Sequence, residues 1–436
     1  MKMLKQFFYL FLAVGMVSMW SSCKDEDDSG PAALTISGIT AAGTSLSGQG
    51  VTADLNGATS AKDVALDATI TITFSRAVDA TTVNTSSVKV SSSAGDAPIS
   101  VSASGTTATV TLTSPLERGT DYTLSLGATI LADDGGALAA TSRTFTTEGV
   151  APVVPPHVED MVAYWPFDGD ITDKQDAYNG NFSDAITYGN DRHGQDGSTA
   201  TFDGDKSIVE VPGADKLMDT DDFTISFWVK TNSNGHVDAN GNPAGFFVFG
   251  LAAFFGFQFE IPSNFGSCKL AASYELADGT KVSEDLWFPG DGKDKDNGGW
   301  QGWDFVADLT GSGGVASLIQ DKWAHIICTY NATEKQGRMY INGELMKSFD
   351  FDLWPENDAK RTVVGMGYRG VAPETEPVLA FGFIQSRGGQ LWDAEPWGGY
   401  DFPTANHFKG DLDDIRVFHA AFDADDAAAL YNAEKP

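Results

Sequence analysis

Five aromatic residues sit in glycine-rich stretches, where a ring can be left facing water. Trp300 and Trp303 lie in Gly298-Gly299-Trp300-Gln301-Gly302-Trp303-Asp304, and Trp392, Trp397 and Tyr400 flank Gly398-Gly399. Sugars present C–H faces that stack on flat rings, and their hydroxyls bond to carboxylates, amides and guanidiniums. Gln301, Asp304, Arg387 and Asp393 are the polar groups nearby. The combination points to carbohydrate binding. The competing use of a large aromatic in a long loop is to pin that loop to the core. Trp165, Trp228 and Trp323 fall in regular alternating runs and read as core. Catalysis leaves a weaker trace. Glycoside hydrolysis asks for two carboxylates projecting into one cleft, and no Glu-x-Asp-x-x-Glu run sets them on one strand face. Asp411, Asp413 and Asp414 form the densest acidic strand segment, while Glu284-Asp285 and Glu374/Glu376 fall in apparent loops. The six histidines show neither metal-ligand spacing nor a companion nucleophile.

The elements that must position these residues are strands. From about 60 to 147, short runs such as Thr69-Ile70-Thr71-Ile72-Thr73-Phe74 alternate apolar and polar residues between turn signals, which implies a small β-sandwich. Gly149 to Pro156 is a proline-rich linker. Beyond it the strands are longer and more aromatic: Phe223 to Lys230, Trp323 to Tyr330, and Arg338 to Gly343 with its Asn-Gly turn. Asp423 to Asn432 reads as one short helix with Asp423 as N-cap. Two stretches, roughly His236 to Leu318 and Trp354 to His407, are expected to be strands such as Gly245 to Glu260 and Val378 to Ile384 joined by elaborated loops. The chain has 436 residues and a formal net charge of -32. Its length implies two or three domains, and its charge disfavours nucleic acid as a partner. An oxidising exterior permits a bridge between Cys268 and Cys328; the apolar run Ile326-Ile327-Cys328 equally suits a buried free thiol.

Lys2 and Lys5, the apolar run Phe7 to Met19, and then Ser21-Ser22-Cys23 form a secretory signal. This segment resembles a bacterial lipoprotein leader, although Trp20 stands where that family usually has Leu or Val. The resemblance implies a signal peptide over 1–22, lipidation of Cys23 and a cell-surface lipoprotein of a Gram-negative outer membrane. Lys24-Asp25-Glu26-Asp27-Asp28 resembles a surface-export signal and also suits a solvated tether, taken as 23–58, within which Leu34 to Ile39 is a candidate first strand.

Val64 to Ser75, Asp121-Tyr122-Thr123-Leu124 and Ile130-Leu131-Ala132-Asp133 resemble the bacterial Ig-like domain, placed at 59–148 and implying a spacer. After the linker at 149–157, the runs AYWPFDG, TFDG, DFTISFWVK, WAHIICTY, MYINGE and GDLDDIRVF resemble the concanavalin A-like, laminin-G-like jelly roll, placed at 158–436. The expected class is all-β: a small Ig-like sandwich, then a larger antiparallel jelly roll with a short C-terminal helix. The second resemblance implies a structural Ca²⁺ held by Asp168, Asp170 and Asp413, with Asp173 and Asn181 nearby; plain turn chemistry is the alternative for Asp-Gly. Taken together, the expectation is a non-catalytic surface lipoprotein binding a glycan through Trp300, Trp303, Asp304, Arg387, Trp392, Trp397 and Tyr400. The alternatives are a glycoside hydrolase or lyase of the same fold and a protein-binding adhesin.

Overall fold

The computed structural model describes residues 31–57, 60–290, 303–372 and 374–436. The leader, Cys23, the acidic run after it and Trp300 lie outside the described residues. Among those described, the chain is almost entirely β, in two sandwiches followed by a C-terminal helix.

The first sandwich pairs two five-stranded sheets. Thr69–Phe74 shows why the strands form: Ile70, Ile72 and Phe74 are buried while the threonines between them face outward. Ile39, Val90, Val110, Leu124 and Phe145 fill the space between the sheets. The sandwich begins well before the expected boundary at 59. Ile36–Thr44, which overlaps the candidate strand at Leu34 to Ile39, pairs with both Gly50–Asp54 and Thr69–Phe74, so these residues belong to the sandwich and not to a tether. The inward side chains of Ile36–Thr44 include Ile39 and Ala41. Beyond Ile39 the run Thr40-Ala41-Ala42-Gly43-Thr44 leaves little hydrophobic period to read.

The second sandwich has a first sheet in the order Thr187–Gly189, Thr199–Asp203, Lys409–Phe418, Phe223–Thr231, Trp323–Asn331, Gln336–Ile341, Glu344–Asp350 and Trp303–Val306, with Met161–Trp165 also pairing on Lys409–Phe418. The facing sheet runs Phe182–Asp184, Ile208–Pro212, Val378–Phe381, Phe246–Leu251, Phe257–Ile261, Cys268–Leu276 and Lys281–Phe288, with Val363–Met366 pairing on Cys268–Leu276. Between them pack Trp165, Phe227, Phe249, Phe259, Ile326 and Phe381. Phe227 meets Phe249 edge-on at 4.9 Å, one of the T-shaped contacts that aromatic cores prefer. The Asn-Gly turn forms as expected, with Asn342 at φ 54 and Gly343 at φ 79 joining Gln336–Ile341 to Glu344–Asp350.

The two outer faces differ. The first sheet is roofed by helix Ala424–Glu434, whose N-cap Asp423 accepts from the backbone of Asp425 and Asp426. Under that roof Trp228 stacks on His325 and donates its indole N–H to Glu434 at 2.8 Å. Burial holds His325 down at about 3, so it is a neutral sheet residue. The second sheet is covered instead by the strand-free segment 382–407, whose Phe383 and Ile384 lie on Ile208, Phe247 and Ala380. Gly250 makes this possible, because a Cβ there would overlap the Ile384 carbonyl oxygen.

Between His236 and Leu318 the sheet expected at Gly245 to Glu260 forms, and two further strands lie where loop is expected. Gly245 to Glu260 is a hairpin of two strands, and Cys268–Leu276 and Lys281–Phe288 add two more. Cys268 and Cys328 are both buried and free, with no bridge.

Candidate functional site

Where the 382–407 segment ends, the outward side of the second sheet forms a cavity of about 360 Å³, within the range of small-ligand sites. Its floor comes from alternate positions on three neighbouring strands. Glu260, Lys269, Asp285 and Trp287 point away from the core because Phe259, Leu270, Leu286 and Phe288 point into it. Register then sets the neighbours: Glu260 is opposite Lys269, and Lys269 is opposite Trp287. The Lys269 ammonium sits 3.0 Å from Glu260 and 3.2 Å from Asp285, bridging the two carboxylates. Burial works against that charge, but Glu260 and Asp285 more than offset it and lift the lysine above its usual range. The buried Gln258 amide donates to the other Glu260 oxygen at 2.8 Å.

The wall comes from the covering segment. Trp397 packs edge-on against Phe247 at 5.7 Å and leaves part of its ring in the cavity. Asn406 accepts from the Gly245 N–H at 2.8 Å, which ties the end of the segment to the sheet. Trp287 and Trp397 are both partly exposed. The arrangement offers two flat apolar surfaces with fixed carboxylate, ammonium and amide groups between the same walls.

The residues singled out in the sequence are dispersed. Trp397 lines the cavity. Trp392 and Tyr400 belong to the same aromatic cluster but serve to seat the segment: Trp392 packs on Phe254 at 5.2 Å, and the Tyr400 hydroxyl donates to the Lys206 carbonyl. Arg387 lies over the Phe182 ring at 3.4 Å and bonds Glu210 at 2.9 Å, at another part of the sheet. Trp303 and Asp304 belong to an edge strand of the opposite sheet, paired with Glu344–Asp350, and Asp304 is exposed. Glu260, Lys269, Asp285 and Trp287 were not singled out as binding residues. Their signal was the outward half of a strand alternation, blurred in Cys268–Leu276 by Ala271 and Ala272.

The three aspartates expected to hold calcium do not fit that ion. Asp168 is paired with Arg118 at 2.8 Å and Asp413 with Arg192 at 2.6 Å, while Asp170 is exposed and accepts from the Thr172 N–H. Asp173 is fully occupied by backbone N–H groups, among them those of Tyr164 and Tyr178. Among the described residues, no group of three or more His, Cys, Asp or Glu side chains is arranged to hold a metal. What fills the position is a buried ionic network. Arg192 contacts Asp413, Asp414 at 2.7 Å and Glu434 at 3.9 Å, and Arg416 contacts Glu434 at 2.7 Å. Burial, reinforced by Asp414, pushes Asp413 well above its ordinary value. Burial acts the same way on Asp414, but Arg416 and Arg192 overcome it and hold that group at about 2. Arg118 comes from the first sandwich and also bonds Ser198, so this network adjoins the seam between the domains.

Two family models match the chain. Residues 52–147 match the bacterial Ig-like domain, and residues 203–375 match the concanavalin A-like lectin/glucanases superfamily. No curated protein sequence matches it. Among solved structures, the chain is similar to the binding domain of Paraclostridial Mosquitocidal Protein 1, at 14% identity and a TM-score of 0.39 over 63% of this chain and 52% of that one. It is similar to the botulinum neurotoxin serotype D/C VPI 5993 binding domain at 14% identity and a TM-score of 0.38, over 63% and 52% of the two chains. A third is the botulinum neurotoxin serotype D ligand binding domain, solved with N-acetylneuraminic acid, at 12% identity and a TM-score of 0.37 over 63% and 51%. The chain thus spans about half the length of these structures. No ligand is carried over from them.

Proposed function

From a chain that carries a bacterial Ig-like domain followed by a concanavalin A-like domain, we propose a carbohydrate-binding protein whose ligand lies in the groove between Trp287 and Trp397. In this reading it is a cell-surface lipoprotein of a Gram-negative outer membrane, anchored through Cys23, with the Ig-like domain as spacer. The observation that supports binding is the pairing of two partly exposed indoles with fixed hydroxyl-binding groups in one cavity. Binding is favoured over hydrolysis because Lys269 lies within 3.2 Å of both carboxylates. An acid–base pair needs one carboxyl free to carry a proton, and here both carboxylates are engaged by one ammonium.

Affinity electrophoresis of the full chain through polysaccharide-containing gels tests this. Retardation on at least one polysaccharide is expected, relieved by Trp287→Ala and by Trp397→Ala while the melting temperature is kept. Unretarded migration on every polysaccharide refutes the reading. Capture of a protein partner that free sugar cannot displace would move it to adhesion.

A further inference from the structure

The charges lining the groove say which glycans it can take, given that the groove is a carbohydrate site as proposed above. Glu260 and Asp285 bring two negative charges and Lys269 brings one positive charge, the one cation among the described residues lining the cavity. That cation is already engaged by both carboxylates. Gln258 fixes the second Glu260 oxygen, and the Asn406 carbonyl oxygen is occupied by the Gly245 N–H. What remains facing a ligand is mainly acceptor capacity on two carboxylates, with the Asn406 amide N–H groups and the Ser267 hydroxyl as donors. Hydroxyl pairs match this set. A uronate, sialyl or sulfate group does not, since it would have to share Lys269 with two acids that already hold it at 3.0 and 3.2 Å and together outweigh its charge. The formal charge of -32 on the whole chain opposes anionic ligands further.

We propose that the groove selects neutral, hydroxyl-rich glycans and rejects acidic ones. Glu260 and Asp285 accept sugar hydroxyls from positions preset by Lys269 and Gln258, and Trp287 and Trp397 supply the stacking faces. Lys269 is a positioning residue here.

The test compares the full chain on neutral polysaccharides with uronate-containing, sialylated and sulfated ones, at low and high salt. Retention is expected on neutral glycans alone, insensitive to salt. The near-isosteric Glu260→Gln and Asp285→Asn should each weaken it about tenfold, at a melting temperature close to that of the parent. Retention on an acidic glycan that fades with salt and is abolished by Lys269→Met would overturn the proposal. So would neutral-glycan binding indifferent to both acid substitutions in folded protein. Retention on nothing at all would remove the carbohydrate reading of the groove itself, and this proposal with it.

Discussion

Arg192 is the side chain whose removal should be felt most strongly. It is 5% exposed, lies over the Trp228 ring at 4.6 Å, and bonds Asp413, Asp414 and the Glu434 carbonyl oxygen. Arg192 and Arg416 together face three carboxylates, those of Asp413, Asp414 and Glu434. The Arg192→Met change keeps much of the stem but leaves one guanidinium against three acids in a desolvated site. Breaking a buried ion pair from one side costs about 3–5 kcal/mol, a large share of ordinary domain stability, about 5–15 kcal/mol. With a urea slope of about 2–3 kcal/mol per molar, the midpoint should fall by roughly 1–2.5 M at unchanged slope. Tryptophan fluorescence is the right probe, since nine of the ten tryptophans lie in 158–436 and none in 31–150. The difference should shrink as pH drops. Asp414, held at about 2, contributes stability that is complete above its unfolded value of about 3.9 and is lost as pH falls towards 2; the variant lacks much of it already. A midpoint within about 0.3 M of the parent at neutral pH, with the slope unchanged, would refute the reasoning and show the network to be energetically neutral.

Four further outcomes are expected. Gly250→Ala should cost about 1–3 kcal/mol through overlap with the Ile384 carbonyl and weaken glycan retention; an unchanged melting temperature with full retention would contradict the seating of 382–407. Burial raises Asp168 to about 6 against the pull of Arg118, so folding is favoured by this group as pH falls from about 6 towards its unfolded value of about 3.9; Asp168→Asn should flatten that part of the urea-midpoint profile, and an unaltered slope would count against it. Chelation followed by millimolar calcium should leave the melting temperature unchanged, whereas a clear rise would restore a calcium site. Burial pushes the Cys268 thiol up to about 12 and Cys328 likewise upward, so a thiol reagent should reach both only after unfolding, and a reductant should not shift melting.

Strand alternation carried most of the architecture. Thr69–Phe74 and Phe223–Thr231 announce themselves because large apolar residues fall on every second position. The Asn342-Gly343 turn and the Asp423 cap are equally local, each needing only its own backbone geometry. The groove is different in kind. Lys269, Trp287 and Glu260 meet only through register across three strands, and Trp397 reaches them only because Gly250 admits the covering segment. Nothing in the neighbouring sequence of any of the four states that they meet. The expected calcium set missed for a related reason. Asp168 and Asp413 do line one small cavity, but the arginines that neutralise them come from distant loops, Arg118 from another domain and Arg192 from the turn before Thr199–Asp203.

Arg118 reaches from the Ig-like sandwich to Asp168 and Ser198, and Val153 of the connecting segment packs against the patch formed by Phe418 and Phe422. The joint is therefore contacted on two sides, which opposes free swivelling. Under the proposed reading, drag on a bound glycan would pass through this joint into the Ig-like strands as tension. In that reading such a joint limits how far the mouth of the groove turns relative to the Ig-like domain.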